Sequence, residues 1–88
     1  MKLNPNFLMH RIAGSAVVVP CDGEENATVF QLNGSAAFLW DVLADGGADT
    51  VSLTKALIQE YGINHNVAER DVLAFCALLK EYGALIEE

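Results

Sequence analysis

The chain has 88 residues, of which 52% are hydrophobic and 19% charged, and its formal net charge is −7. This composition predicts one folded domain over residues 1–88 and excludes both a disordered chain and a second hydrophobic core. Five scattered lysines and arginines cannot form the basic patch that a nucleic-acid backbone or an anionic membrane requires, so a basic or mainly apolar partner fits better.

Two strands and a tight turn are predicted at the start of the chain. Residues 7–12 (FLMHRI) alternate in a β-compatible pattern, and residues 15–20 (SAVVVP) are rich in β-branched side chains. Ala13 and Gly14 lie between them, where glycine tolerates a positive φ. The pattern therefore predicts a β-hairpin.

A third strand is predicted over residues 28–32 (TVFQL), after a polar loop at residues 21–27. Its alternation divides the side chains into two faces, Val29 and Gln31 on one and Thr28, Phe30 and Leu32 on the other. Charge, proline and bulges normally protect an exposed strand edge, and residues 28–32 contain no charge and no proline. The strand is either covered inside the sheet or an edge that recruits a peptide.

The first predicted helix starts at Asn33 or Ser35, either of which can cap it, and runs to about Asp45. Two glycines at residues 46–47 end it. Its apolar residues recur at helical spacing and are Phe38, Leu39, Val42 and Leu43, with Trp40 on a flanking face. Because large aromatic side chains are usually buried, Trp40 is expected in the core.

Two more helices complete the predicted order. Thr50 or Ser52 caps the second helix, which Gly62 ends. Asn66 caps the third helix, which runs to Tyr82. The β-β-β-α-α-α order predicts an α+β fold in which a three-stranded antiparallel sheet is followed by a three-helix bundle, similar to a winged helix-turn-helix.

The third helix carries apolar residues on two sides. The core stripe comprises Val72, Phe75, Cys76 and Leu79, and a weaker stripe comprises Val67, Ala74 and Leu78, with Ala77 beside it. The helix is either buried on both sides, or its two alanines leave a trough for a partner's apolar side chains. In the second case, Arg70 and Asp71 lie at the rim and set the register through charge.

No enzyme motif is present in the sequence. There is no phosphate-binding glycine loop and no nucleophile elbow. Cys21, Cys76, His10 and His65 lie far apart, so neither a metal site nor another cofactor is expected. A chain without a signal-peptide pattern or a membrane-length apolar run is expected in the cytoplasm with free thiols.

Three segments in order resemble the PqqD family. They are residues 29–47 (VFQLNGSAAFLWDVLADGG), residues 48–63 (ADTVSLTKALIQEYGI) and residues 71–87 (DVLAFCALLKEYGALIE). The resemblance implies a winged-helix-like fold without DNA binding. It also implies a RiPP recognition element, which holds the leader of a ribosomally made precursor peptide for a modifying enzyme, often a radical SAM protein. Pyrroloquinoline quinone and other modified peptides both remain possible products.

The resemblance also implies a peptide site. The leader is expected to pair with the third strand, along Thr28, Val29, Phe30, Gln31 and Leu32. The groove wall is expected on the third helix, at Arg70, Asp71, Ala74, Ala77 and Leu78. Two alternatives remain, a winged-helix DNA-binding regulator and a protein-binding adaptor, and the chain can be a monomer or a weak homodimer.

Overall fold

The computed structural model describes residues 1–21 and 29–86. Its elements, in chain order, are β1 (Lys2–Leu3), β2 (Phe7–Ile12), β3 (Ser15–Pro20), β4 (Phe30–Leu32), α1 (Gly34–Ala44), α2 (Thr50–Tyr61), α3 (His65–Glu81) and β5 (Leu85–Ile86). The predicted α+β fold is confirmed. The structure adds a two-residue strand near each end of the described chain.

The main sheet is antiparallel, in the order β2-β3-β4. Val18, at the centre of β3, is paired with Met9 on β2 and with Phe30 on β4. β4 begins at Phe30, so the predicted Val29 precedes the strand, and the predicted Thr28 lies outside the described residues. This order places β4 at one edge of the sheet.

The turn between β2 and β3 has two residues with positive φ, Ala13 at 35° and Gly14 at 88°. A two-residue hairpin turn with this geometry matches the twist of the strands and favours Asn-Gly or Gly-Gly. Alanine is strained there because its Cβ approaches the backbone. The prediction of a turn is confirmed, and alanine at its first position is unfavourable.

Ala13→Gly is therefore expected to raise the free energy of unfolding by about 1 kcal/mol. The matched control is Ala77→Gly, at an exposed position inside α3, which should lower it by about 1 kcal/mol. Urea denaturation measures both changes. A loss of stability in Ala13→Gly would contradict the strained turn.

The core lies between the inner face of the sheet and the three helices. Its largest fully buried side chains are Val18, Leu32, Leu39, Leu43, Leu53, Leu57, Val72 and Leu79. Trp40 is 5% exposed, which confirms its predicted place in the core. Cys76 is buried and Cys21 exposed, and both are free thiols.

The helix starts differ in part from the predictions. Asn33 caps α1 and accepts a hydrogen bond from the Ala36 N–H at 2.8 Å. Of the two predicted caps, Asn33 and Ser35, the first is therefore confirmed. Asp49 caps α2, so neither Thr50 nor Ser52 does. Asn64 caps α3, so the prediction of Asn66 was wrong. In both errors an equally good side-chain acceptor lies slightly earlier in the sequence, and the helix begins there.

The Asp49 cap gives stability a pH dependence. The Ser52 N–H donates to the Asp49 carboxylate at 2.7 Å and lowers its pKa below the ordinary value. A depressed carboxyl pKa contributes stability above the unfolded pKa and loses it as the pH falls through the folded pKa. Asp49→Asn still caps but does not titrate, so its stability should fall less than that of the wild type below about pH 4. Urea denaturation across pH checks this, and parallel pH curves would contradict it.

β1 and β5 form a separate antiparallel pair, with Lys2 opposite Ile86 and Leu3 opposite Leu85. Next to it, the Asn4 N–H donates to the Ala84 carbonyl at 2.8 Å. The sequence left the last residues open between a strand and a helical turn, and the described part, Leu85–Ile86, is a strand. The pair ties the first residues of the chain to the end of α3.

Candidate peptide-binding site

A cleft lies between the β4 edge and α3. Its volume is about 240 Å³. Three segments line it, and their residues are Gln31, Leu32 and Asn33, then Ser35, Ala36 and Leu39, then Asp71, Ala74, Phe75 and Leu78. The end of β4 and the start of α1 therefore form one wall, and α3 forms the other.

The floor of the cleft is apolar and belongs to the core. Leu32 and Leu39 are each 1% exposed and Phe75 is 4% exposed. The strand pleat directs Leu32 inward, and α1 starts directly after β4, so Leu39 follows within two helical turns. Because these side chains are packed on their other sides, the cleft is preformed rather than created by a ligand.

The rim of the cleft is polar. The Asn33 side-chain oxygen accepts from the Ala36 N–H at 2.8 Å and from the Ser35 hydroxyl at 3.0 Å, so it is occupied in capping α1. Asp71 is exposed and, within residues 1–21 and 29–86, forms no ion pair. Asp71 is also the one ionisable residue among the described residues that line the cleft, and its carboxylate is available to a ligand.

The cleft runs beside an open strand edge. β4 pairs with β3 on one side, and no described strand pairs with its other side. An edge strand presents backbone N–H and C=O groups that another chain can pair with. Backbone pairing groups and an apolar recess therefore lie side by side.

Phe30 fixes β4 in position without entering the cleft lining. Its ring stacks on the Tyr82 ring, with centroids 4.5 Å apart and planes 11° apart. Tyr82 is the C-cap of α3, so this contact joins the edge strand directly to the end of the opposite wall. Stacked aromatic pairs of this kind stabilise by about 1 kcal/mol beyond their burial.

The structure brings together five of the predicted site residues, which are Gln31, Leu32, Asp71, Ala74 and Leu78. Arg70 and Ala77 are exposed on α3 but do not line the cleft. Val29 is 53% exposed and precedes β4, Phe30 faces the core, and Thr28 lies outside the described residues.

The contribution of α1 to the cleft was not predicted. Ser35, Ala36 and Leu39 line it, and so does Phe75 of α3. A signal was present in the sequence, since Asn33 follows the strand at once and caps a helix. Because the helix starts directly after the edge strand, its first turn lies next to the cleft.

A second recess, about 280 Å³ in volume, lies between α2 and α3. It is lined by Thr50, Val51, Thr54, Lys55, His65, Glu69, Val72 and Leu73. Both walls are helical, so beyond the first turn of each helix the backbone groups are paired within the helices, and neither wall presents a strand edge. This recess can take apolar side chains but cannot add a strand.

Other kinds of site find little support in the described part of the chain. There, no three histidine, cysteine or acidic side chains converge as metal ligands. No helix described by the structure is long and apolar enough to cross a membrane. α3 carries two cations, Arg70 and Lys80, against three acids, which is a poor surface for a DNA backbone.

The chain matches one family of known proteins. The family described as "Coenzyme PQQ synthesis protein D (PqqD)" matches residues 17–85. No curated protein sequence matches the chain.

Two solved structures share the fold. TbiB1 in complex with the TbiA(beta) leader peptide has a TM-score of 0.80 at 22% identity, over 100% of this chain and 98% of that chain. A lasso peptide synthetase B1 complexed with the leader peptide has a TM-score of 0.76 at 27% identity, over 98% of this chain and 96% of that chain.

Proposed function

This chain belongs to the PqqD family, and from that premise we propose that it binds the leader segment of a ribosomally made precursor peptide. The leader adds a strand to the β4 edge, and its apolar side chains enter the cleft against α3. The chain then presents the peptide to a modifying enzyme. In this proposal the chain acts as a recognition element, and the modifying enzyme carries out the chemistry.

One observation carries this proposal, the open β4 edge beside a preformed apolar cleft. In strand addition, main-chain hydrogen bonds supply affinity, and pockets for alternate side chains supply specificity. Both similar solved structures are complexes with leader peptides, which supports the same use of the fold here.

Presentation by a binding module raises the local concentration of the peptide at the enzyme. The effective concentration of a tethered substrate at its enzyme is on the order of millimolar when the linker is short and flexible. We propose a radical SAM protein as one class of partner enzyme. We also propose a cytoplasmic, monomeric or weakly dimeric state, and the two free thiols support the reducing compartment.

The proposal is tested with the precursor peptide encoded beside the gene for this chain. Fluorescence anisotropy compares its leader half with its core half, each labelled at the end distant from the cleavage point. The leader is expected to bind and the core half is not. Equal binding of both halves, or none by the leader, would contradict the proposal.

The mode of binding is tested with N-methylated leader peptides. N-methylation removes a backbone donor, and in an antiparallel or parallel ladder the donors of one strand face the partner at alternate residues. Affinity should therefore fall at every second position of the bound segment, about tenfold where a donor faces β4. A uniform tolerance of N-methylation would show that the leader does not bind as a strand.

A further inference from the structure

Asp71 indicates the charge of the peptide that the cleft accepts. Among residues 1–21 and 29–86, it is the one ionisable side chain that lines the cleft, and it has no ion-pair partner there. The other polar acceptor at the rim, Asn33, is occupied by the start of α1. An unpaired carboxylate beside an apolar floor favours a ligand that carries both a cation and an apolar group.

We infer that the bound leader carries a lysine or arginine that pairs with Asp71, two residues from the apolar side chain that fills the cleft. This inference rests on the proposed function and adds the chemical class of peptide that the site selects. Asp71 is then a residue that determines specificity, and Ala74 and Leu78 receive the apolar anchor.

The spacing follows from the geometry of the two elements. Same-face side chains of a strand are about 6.6 to 6.8 Å apart, because each residue rises about 3.3 to 3.4 Å. Along α3, at about 1.5 Å per residue, Asp71 lies about 7.5 Å from the midpoint between Ala74 and Leu78. If the bound peptide strand runs parallel to the axis of α3, an apolar side chain at that midpoint places the next side chain on the same face of the peptide near Asp71.

The surrounding charges agree with a cationic ligand. The chain has a net charge of −7, which draws a basic peptide toward it from a distance. Arg70, the neighbour of Asp71, lies outside the cleft lining and forms no ion pair with it. A peptide cation is therefore favoured on the cleft side of α3, at Asp71, and disfavoured one position outward, at Arg70.

The test uses the full chain as bait for a displayed library of random 12-residue peptides, so it requires no identified precursor. Three variants are selected in parallel with the wild type: Asp71→Asn, Asp71→Lys and Asp45→Asn. Asp45 is the exposed C-cap of α1 and lies outside the cleft, so Asp45→Asn matches the charge change of Asp71→Asn.

The wild type and Asp45→Asn are expected to enrich peptides with lysine or arginine two positions from a large apolar residue. Asp71→Asn should lose this cation preference and bind a selected peptide about three- to tenfold more weakly. Asp71→Lys should instead enrich aspartate or glutamate at that position.

Three results would overturn the inference, and only the last of them would also overturn the proposed function. Enriched apolar strands without a charge preference, or with a cation preference that survives Asp71→Asn, refute the role of Asp71 and leave the proposed function standing. A library from which no peptide is enriched refutes the inference and the proposed function together.

Discussion

Ala74→Trp is expected to weaken leader binding about 100-fold, because the indole fills the recess in which we propose that the peptide's apolar anchor lies. Ala74 is exposed on α3 and lines the cleft. The larger side chain therefore displaces no core residue, and the fold should persist. Fluorescence anisotropy with the labelled leader measures the loss, and circular dichroism checks the fold.

Ala77→Trp is the matched control for Ala74→Trp. Ala77 is also exposed on α3, less than one turn further along, but it does not line the cleft. The same added side chain should leave leader affinity within about threefold of the wild type, as expected of a surface position outside a binding site. Equal losses in the two variants, or none in either, would place the leader somewhere else.

Leu39→Ala is expected to lower the free energy of unfolding by about 3 kcal/mol, which is a large part of the stability of an 88-residue domain. Leu39 is 1% exposed and forms part of the cleft floor. Its removal leaves a cavity between α1 and the opposite wall. Urea denaturation measures the change.

Leu73→Ala is the control for Leu39→Ala. Leu73 lies on α3 and is 53% exposed, so the same deletion should change the unfolding free energy by less than about 1 kcal/mol. A loss of similar size in both variants would mean that Leu39 is not a buried support of the cleft floor.

The main elements could be predicted because their signals are local. Alternation in Phe7–Ile12 and the helical spacing of residues in α1 and α3 each lie within one segment. The predicted caps of α2 and α3 were wrong because Asp49 and Asn64 offer equally good side-chain acceptors slightly earlier in the sequence. The β1–β5 pair could not be predicted, because two-residue strands joined across almost the whole chain leave no periodic signal.

The cleft shows the same limit. Ala74 and Leu78 could be placed on one side of α3 from their spacing, whereas the resemblance to the family assigned Asp71 to the groove wall. The sequence could not show that Ala74 lines the cleft while Ala77 does not, because this depends on where β4 lies relative to α3. The start of α1 lines the cleft because α1 follows β4 directly, with only Asn33 between them.

The most direct test of the peptide site is a ¹⁵N NMR titration of the full chain with the leader of the neighbouring precursor. Amide shifts are expected at residues 29–32 and along the cleft side of α3, at Asp71, Ala74 and Leu78. The recess between α2 and α3, around Val51, should change little. Shifts confined to that recess, or no shifts at saturating peptide, would contradict strand addition at β4.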